Sequence, residues 1–151
     1  MHLFIGFPQW FGSLLFASEI GKKEPMRTYS FEKLEVWQLA RAWRKNIYAA
    51  TCHFPDSEKY GLTSQLRRAA NSITANLAEG CARSGTKDRL KFVNIAYAST
   101  IEVLDHLITA HDLRFIDDPL YHTLRLEMDT LVIKLERFTA FLNKSVHPNH
   151  S

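Results

Sequence analysis

Residues 118–142 read DPLYHTLRLEMDTLVIKLERFTAFL. Within them Leu120, Leu124, Met128, Leu131, Leu135, Phe138 and Leu142 recur at intervals of 4, 4, 3, 4, 3 and 4, which lines up one apolar face of an α-helix. Asp118 before Pro119 predicts the helix start, a capping carboxylate followed by a residue whose missing N–H costs nothing in the first turn. A seam of that length is stable in water only when other elements cover it.

Three further stretches carry the same periodicity. Ser30 is a candidate N-cap, and Val36, Ala40, Trp43, Ile47, Ala50 and Phe54 form one stripe that Pro55 ends. After the capping chemistry of Pro55-Asp56-Ser57-Glu58, a second helix is predicted to run to about Ala82, with Leu62, Leu66, Ala69, Ile73 and Leu77 on its face. Ala70, Thr74 and Ala78 beside them are small enough to let a neighbouring helix come close. Past the Arg83-Ser84-Gly85-Thr86 turn, helix three carries Phe92, Ala96, Ser99, Val103 and Ala110 on one stripe and Val93, Tyr97, Thr100, Leu104 and Ile108 on the next. Apolar over so much of its circumference, it belongs at the centre of a bundle or at a subunit interface. Short turns between long helices favour antiparallel up-down-up-down packing. The fold expected is therefore an all-α four-helix bundle over residues 26–145, with a polar tail at 146–151.

Residues 1–25 stand apart. Met1 to Phe16 is apolar and aromatic, but no Lys or Arg precedes the run and Pro8 interrupts it, so it makes a poor secretion signal and a poor membrane span. Met26-Arg27-Thr28-Tyr29-Ser30 leads directly into the first helix. The expectation is that the working protein begins at Met26 and that residues 1–25 are an extension arising from start-site choice.

Net charge of +3 over 151 residues is too small to mark the chain as a histone-like binder; distribution says more. From Arg41 to Lys91 ten basic residues face four acids, whereas from Glu102 to Glu136 eight acids face three bases. The first two helices are expected to form the positive half, and the sign reverses between Glu102 and Glu136. Cys52 and Cys81 have no Cys-x-x-Cys or Cys/His spacing around them, which points to a reducing, cytoplasmic setting and to no metal or redox role.

Several segments together resemble a family. They are Phe31-Glu32-Lys33-Leu34-Glu35-Val36-Trp37-Gln38, Phe54-Pro55-Asp56-Ser57-Glu58-Lys59-Tyr60-Gly61-Leu62, Gln65-Leu66-Arg67-Arg68-Ala69-Ala70-Asn71-Ser72-Ile73, Asn76-Leu77-Ala78-Glu79-Gly80 and Ala96-Tyr97-Ala98-Ser99-Thr100-Ile101-Glu102. In this order over roughly Tyr29 to Asn143 they are similar to the bacterial proteins encoded in intervening sequences of 23S ribosomal RNA genes, a group that takes in the accessory variability determinant of diversity-generating retroelements. The resemblance implies a homo-oligomer, usually a pentameric ring, without catalytic residues. In the retroelement branch it implies binding to nucleic acid and to a reverse transcriptase.

Enzyme chemistries fail on spacing. Gly80-Cys81-Ala82-Arg83-Ser84-Gly85-Thr86-Lys87 approaches a phosphate-binding loop, but Thr precedes Lys and no strand precedes the loop. No Glu has a His three residues later, as a di-iron bundle requires. Glu32-x-x-Glu35 and Glu102-x-x-Asp105 have the spacing of paired Mg²⁺ ligands but lie on helices one and three rather than on one hairpin. Arg114 and His122 straddle a proline turn and lack the spacing of an all-α toxin nuclease. His106, His111, His147 and His150 read as ordinary histidines. No cofactor is expected.

Binding surfaces remain. Arg83, Lys87, Arg89 and Lys91 surround the start of helix three, where free N–H groups attract phosphates, and the same end collects Arg27, Lys33, Arg137 and Lys144. Copied round a ring, these would make a basic rim; the plainer reading is a solvated hairpin. On helix one, Trp37, Arg41, Arg44 and Tyr48 alternate aromatic and cationic groups as a single-strand surface would, with packing the stronger reading for Trp37. Arg68, Ser72, Asn76 and Glu79 are expected to form a polar network that sets the register of helix two. The function expected is a non-enzymatic, oligomeric nucleic-acid-binding bundle or reverse-transcriptase accessory factor, with a purely structural protein–protein adaptor as the competing class.

Overall fold

A computed structural model describes residues 26–146; the readings on 1–25 and on His147 and His150 lie outside the described residues. A 3-10 turn at Ser30–Lys33 precedes α1 (Glu35–Thr51), and a second at Asp56–Glu58 precedes α2 (Leu62–Ala82); α3 (Thr86–Asp112) and α4 (Asp118–Val146) complete the order. Each helix packs on its neighbours in sequence, and α1 closes the square against α4. That is the up-down-up-down bundle, with no strand among the described residues. No helix is long and apolar enough to cross a membrane, among the described residues.

The core is made largely by the stripes read above, joined by Leu107 of α3 and by Ile116 at the α3–α4 corner, which no stripe included. Trp43, Ile47, Leu66, Ile73, Leu77, Leu124, Leu131, Leu135 and Leu142 are all but fully buried, and Val36, Ala40, Ala50 and Phe54 are buried with them. The α2–α3 contact is the most extensive. Ala69, Ala70 and Ala96 have no exposed surface there, and a Cβ on Gly80 would stand 3.1 Å from the Cβ of Phe92. Small side chains are what let these two helices approach.

The helix start expected at Ser30 is displaced, and at α4 the helix begins at Asp118 as expected but the capping side chain is not that of Asp118. Ser30 opens a 3-10 turn, held by the Tyr29 N–H donating to Glu32 Oε1 at 2.8 Å. Leu34 is extended, with ψ of 122°, and its carbonyl accepts from Trp37 and Gln38, so α1 begins only at Glu35. At α4 the cap moves one residue upstream: Asp117 Oδ1 accepts from the Leu120 N–H at 2.9 Å. Asp118 is left free to accept from His111 Nε2 at 2.7 Å across the α3–α4 corner. Arg114 takes a positive φ of 59° in that corner.

The second stripe assigned to α3 divides. Val93 and Thr100 are buried, but Tyr97 and Ile108 are exposed, because α2 and α4 cover only part of the circumference. Leu90, Asn94, Tyr97, Ile101, Leu104 and Ile108, at intervals of 4, 3, 4, 3 and 4, run down the helix beside the core face. Ile101 is 42% exposed, and α4 adds Leu126 at 68% and Ile133 at 48%.

Candidate nucleic-acid interface

Two groups of cations were singled out by the sequence, and the bundle treats them differently. At the α2–α3 turn most are already occupied. Arg83 pairs with Glu79 one helical turn back and lies over the Phe92 ring, 4.7 Å from its centroid. Half-buried Arg89 donates to the backbone carbonyls of Gly80 (3.4 Å) and Arg83 (3.3 Å), which satisfies the C-terminal end of α2. Lys91 pairs with Asp88 at 2.9 Å, and this holds the Asp88 carboxyl below its ordinary range. Lys87 is exposed. Exposed pairs of this sort contribute little stability, but each carboxylate offsets a charge that a phosphate would have met.

The α1–α2 face is different. From Val36 to Thr51 on α1 and from Leu62 to Ala78 on α2 there is no carboxylate. Arg41, Arg44, Lys45 and Arg67 lie on these two stretches. Arg41 sits over Trp37 at 5.7 Å, and Trp37 in turn meets the edge of Phe31 at 5.0 Å. Trp37 is thus half-buried packing, while its capping guanidinium is exposed.

Further along α1, Arg44 reaches across to α2 and donates to Thr74 Oγ1 at 2.8 Å. Tyr48 is held twice: its hydroxyl accepts from Asn71 Nδ2 at 2.6 Å, and the Arg67 guanidinium lies 4.9 Å from its ring centroid. Arg67 is itself tied down, Nε donating to Thr51 Oγ1 at 2.8 Å. Arg44, Lys45, Tyr48 and Asn71 line a shallow depression of about 540 Å³ between the helices. Lys45, Arg67 and Asn71 were not singled out from sequence as parts of this surface. Acid-free runs on two consecutive antiparallel helices were the signal that could have found them.

The polar strip on α2 does not act as one network. Ser72 Oγ meets Ser99 Oγ of α3 at 2.8 Å, and Asn76 Nδ2 donates to Ser72 at both its carbonyl (2.8 Å) and its hydroxyl (3.0 Å). Arg68 turns away to Glu102 of α3 and to Gln65, and Glu79 turns to Arg83. Helical spacing of four placed Arg68, Ser72 and Asn76 in a line, but partners on α3 decided which of them join. Among the described residues, no group of three or more His, Cys, Asp or Glu side chains is placed to hold a metal ion.

The family described as 23S rRNA-intervening sequence protein matches residues 32–137, more than two thirds of the chain. The chain belongs to that family. No curated protein matches it. In this intervening-sequence protein the matched stretch opens in the first 3-10 turn and closes within α4, so it takes in the α1–α2 face, the α2–α3 turn and both serines of the interhelix contact.

Proposed function

We propose that this intervening-sequence protein is a non-enzymatic, self-associating bundle that holds RNA or DNA on its α1–α2 face. The observation that carries the reading is the acid-free run of both helices, with Arg41, Arg44, Lys45 and Arg67 on it. Phosphate is the ligand such a face attracts, because each neutralised phosphate releases condensed counterions. The family's description links it to 23S rRNA intervening sequences, a nucleic-acid setting. A reverse transcriptase sharing the same nucleic acid is the partner in the retroelement form of this reading. A cytoplasmic location goes with it, since Cys52 and Cys81 are both free thiols. The test is binding to RNA and to DNA across a salt series. Log affinity is expected to fall linearly with log salt, and no binding at low salt overturns the reading.

The adaptor reading draws on a different surface. Tyr97, Ile101 and Ile108 of α3 lie on the same half of the bundle as Leu126 and Ile133 of α4, and Asp105, Asp129 and Glu136 are the acids of these helices exposed alongside. An apolar face carrying acids complements a basic face on a second copy, a head-to-tail contact that closes into a ring when its rotation permits. Five copies is the number that the family resemblance implies. Sedimentation of the purified protein tests this; a lone monomer at high concentration overturns self-association.

A further inference from the structure

We infer that the α1–α2 depression takes an unpaired base of a single-stranded polynucleotide, stacked on Tyr48, while Arg44 and Lys45 meet the flanking phosphates; the inference rests on the nucleic-acid reading above. Three features of the depression set it apart from a patch that merely attracts phosphate.

The first is that Tyr48 is fixed before any ligand arrives. Asn71 holds the hydroxyl and Arg67 covers one side of the ring, and Arg67 is anchored in turn by Thr51. An aromatic ring already locked in place binds a base without the entropy cost of ordering a free side chain. The Arg67 guanidinium gives the ring a cationic partner on one face, and the inferred base takes the opposite one.

The second is that Arg67 does not line the depression, whereas Tyr48 does, beside Arg44 and Lys45. Tyr48 remains 38% exposed despite its two partners. The third is the order of groups: cations at 44 and 45 precede the aromatic at 48 by one helical turn, about 5 Å along the axis, so that cation and ring stand on successive turns of one helix beside the same depression. A duplex offers phosphates to the cations but keeps its bases stacked on each other, so it gains nothing from Tyr48.

The experiment uses the full chain, a fluorescent single-stranded oligo-U and oligo-dT, the same strands made duplex, and an abasic strand of equal charge. Wild-type protein is expected to bind either single strand roughly tenfold more tightly than the duplex or the abasic strand at matched salt. Tyr48→Leu is expected to abolish that preference while leaving duplex affinity within about twofold, and Tyr48→Phe to keep most of it. Helicity and melting temperature of both variants show that the fold persists. Equal binding of single strand, duplex and abasic strand, with Tyr48→Leu without effect, overturns the stacking site and leaves the phosphate-binding reading standing. No binding of any strand at low salt overturns both.

Discussion

The indole Nε1–H of Trp43 on α1 donates to the backbone carbonyl of Leu124 on α4 at 3.0 Å, a buried bond between residues 81 positions apart in the chain. It ties the first helix to the last, where the bundle closes on itself. Trp43 is only 2% exposed, so the ring also fills the centre of the core. Trp43→Phe keeps an aromatic but loses the donor and some volume. The expected cost is roughly 1–3 kcal/mol, read as a lower urea midpoint with the slope unchanged.

Gly80 answers to α3 rather than to helix propensity. Alanine is ordinarily favoured over glycine in a helix interior by about 1 kcal/mol. Here the added Cβ meets the Cβ of Phe92 at 3.1 Å, a tight approach to a group that cannot rotate away, while the Arg89 carbonyl at 3.5 Å is an ordinary contact. Gly80→Ala is therefore expected to destabilise by about 1 kcal/mol net, since overpacking costs about 1–3 kcal/mol. A rise in melting temperature would show that α2 and α3 can move apart freely.

Acid acts on the α3–α4 corner. The hydrogen bond from His111 holds the Asp118 carboxyl below its ordinary value of 3.8. The folded state thus takes up this proton less readily than the unfolded chain. Its contribution is whole above the ordinary value and is lost as pH falls through the lowered one. Asp118→Asn removes that titration, so the stability gap between wild type and variant is expected to be wider near about pH 5 than near about pH 3 in chemical denaturation. A gap independent of pH would show that the pair contributes nothing.

Charge removal separates the two basic surfaces. Arg41→Gln combined with Lys45→Gln is expected to weaken nucleic-acid binding about tenfold at low salt and to flatten the log–log salt slope by roughly 1.5. Lys91→Gln, whose charge Asp88 already meets, is expected to change affinity by less than about twofold. The reverse order of effects would move the interface to the α2–α3 turn.

Tyr97→Glu with Ile101→Glu places two charges on the exposed α3 strip without touching the core. Sedimentation velocity is expected to show the assembly dissociating to monomers of unchanged helicity. An assembly that survives both substitutions would mean that copies meet elsewhere.

The four helices were legible because their apolar positions return every three or four residues, and most of the residues so marked, from Val36 to Leu142, are buried in the core or packed against it, Tyr97 and Ile108 of α3 being left exposed. Helix ends were less legible. Ser30 and Asp118 both have side chains fit for capping, yet Leu34 and Asp117 hold the positions, since which residue caps depends on how the chain enters from the preceding corner. At the site, Arg41, Arg44 and Tyr48 share a face of one helix and could be seen together. Arg67 and Asn71 come from the next helix, and only its docking angle brings them to Tyr48.

By itself, then, the order of residues determined that this protein is helical, that it folds back three times, and that acid-free, cation-bearing runs fall on the first two helices. Those are properties of each helix's own periodicity and composition, which need no neighbour to be expressed. The tertiary structure decided which cations meet a carboxylate and which do not, and that Tyr48 is held between Asn71 and Arg67. That outcome depends on side chains from separate helices meeting at bonding distance, and a distance between helices is written in no single stretch of the chain.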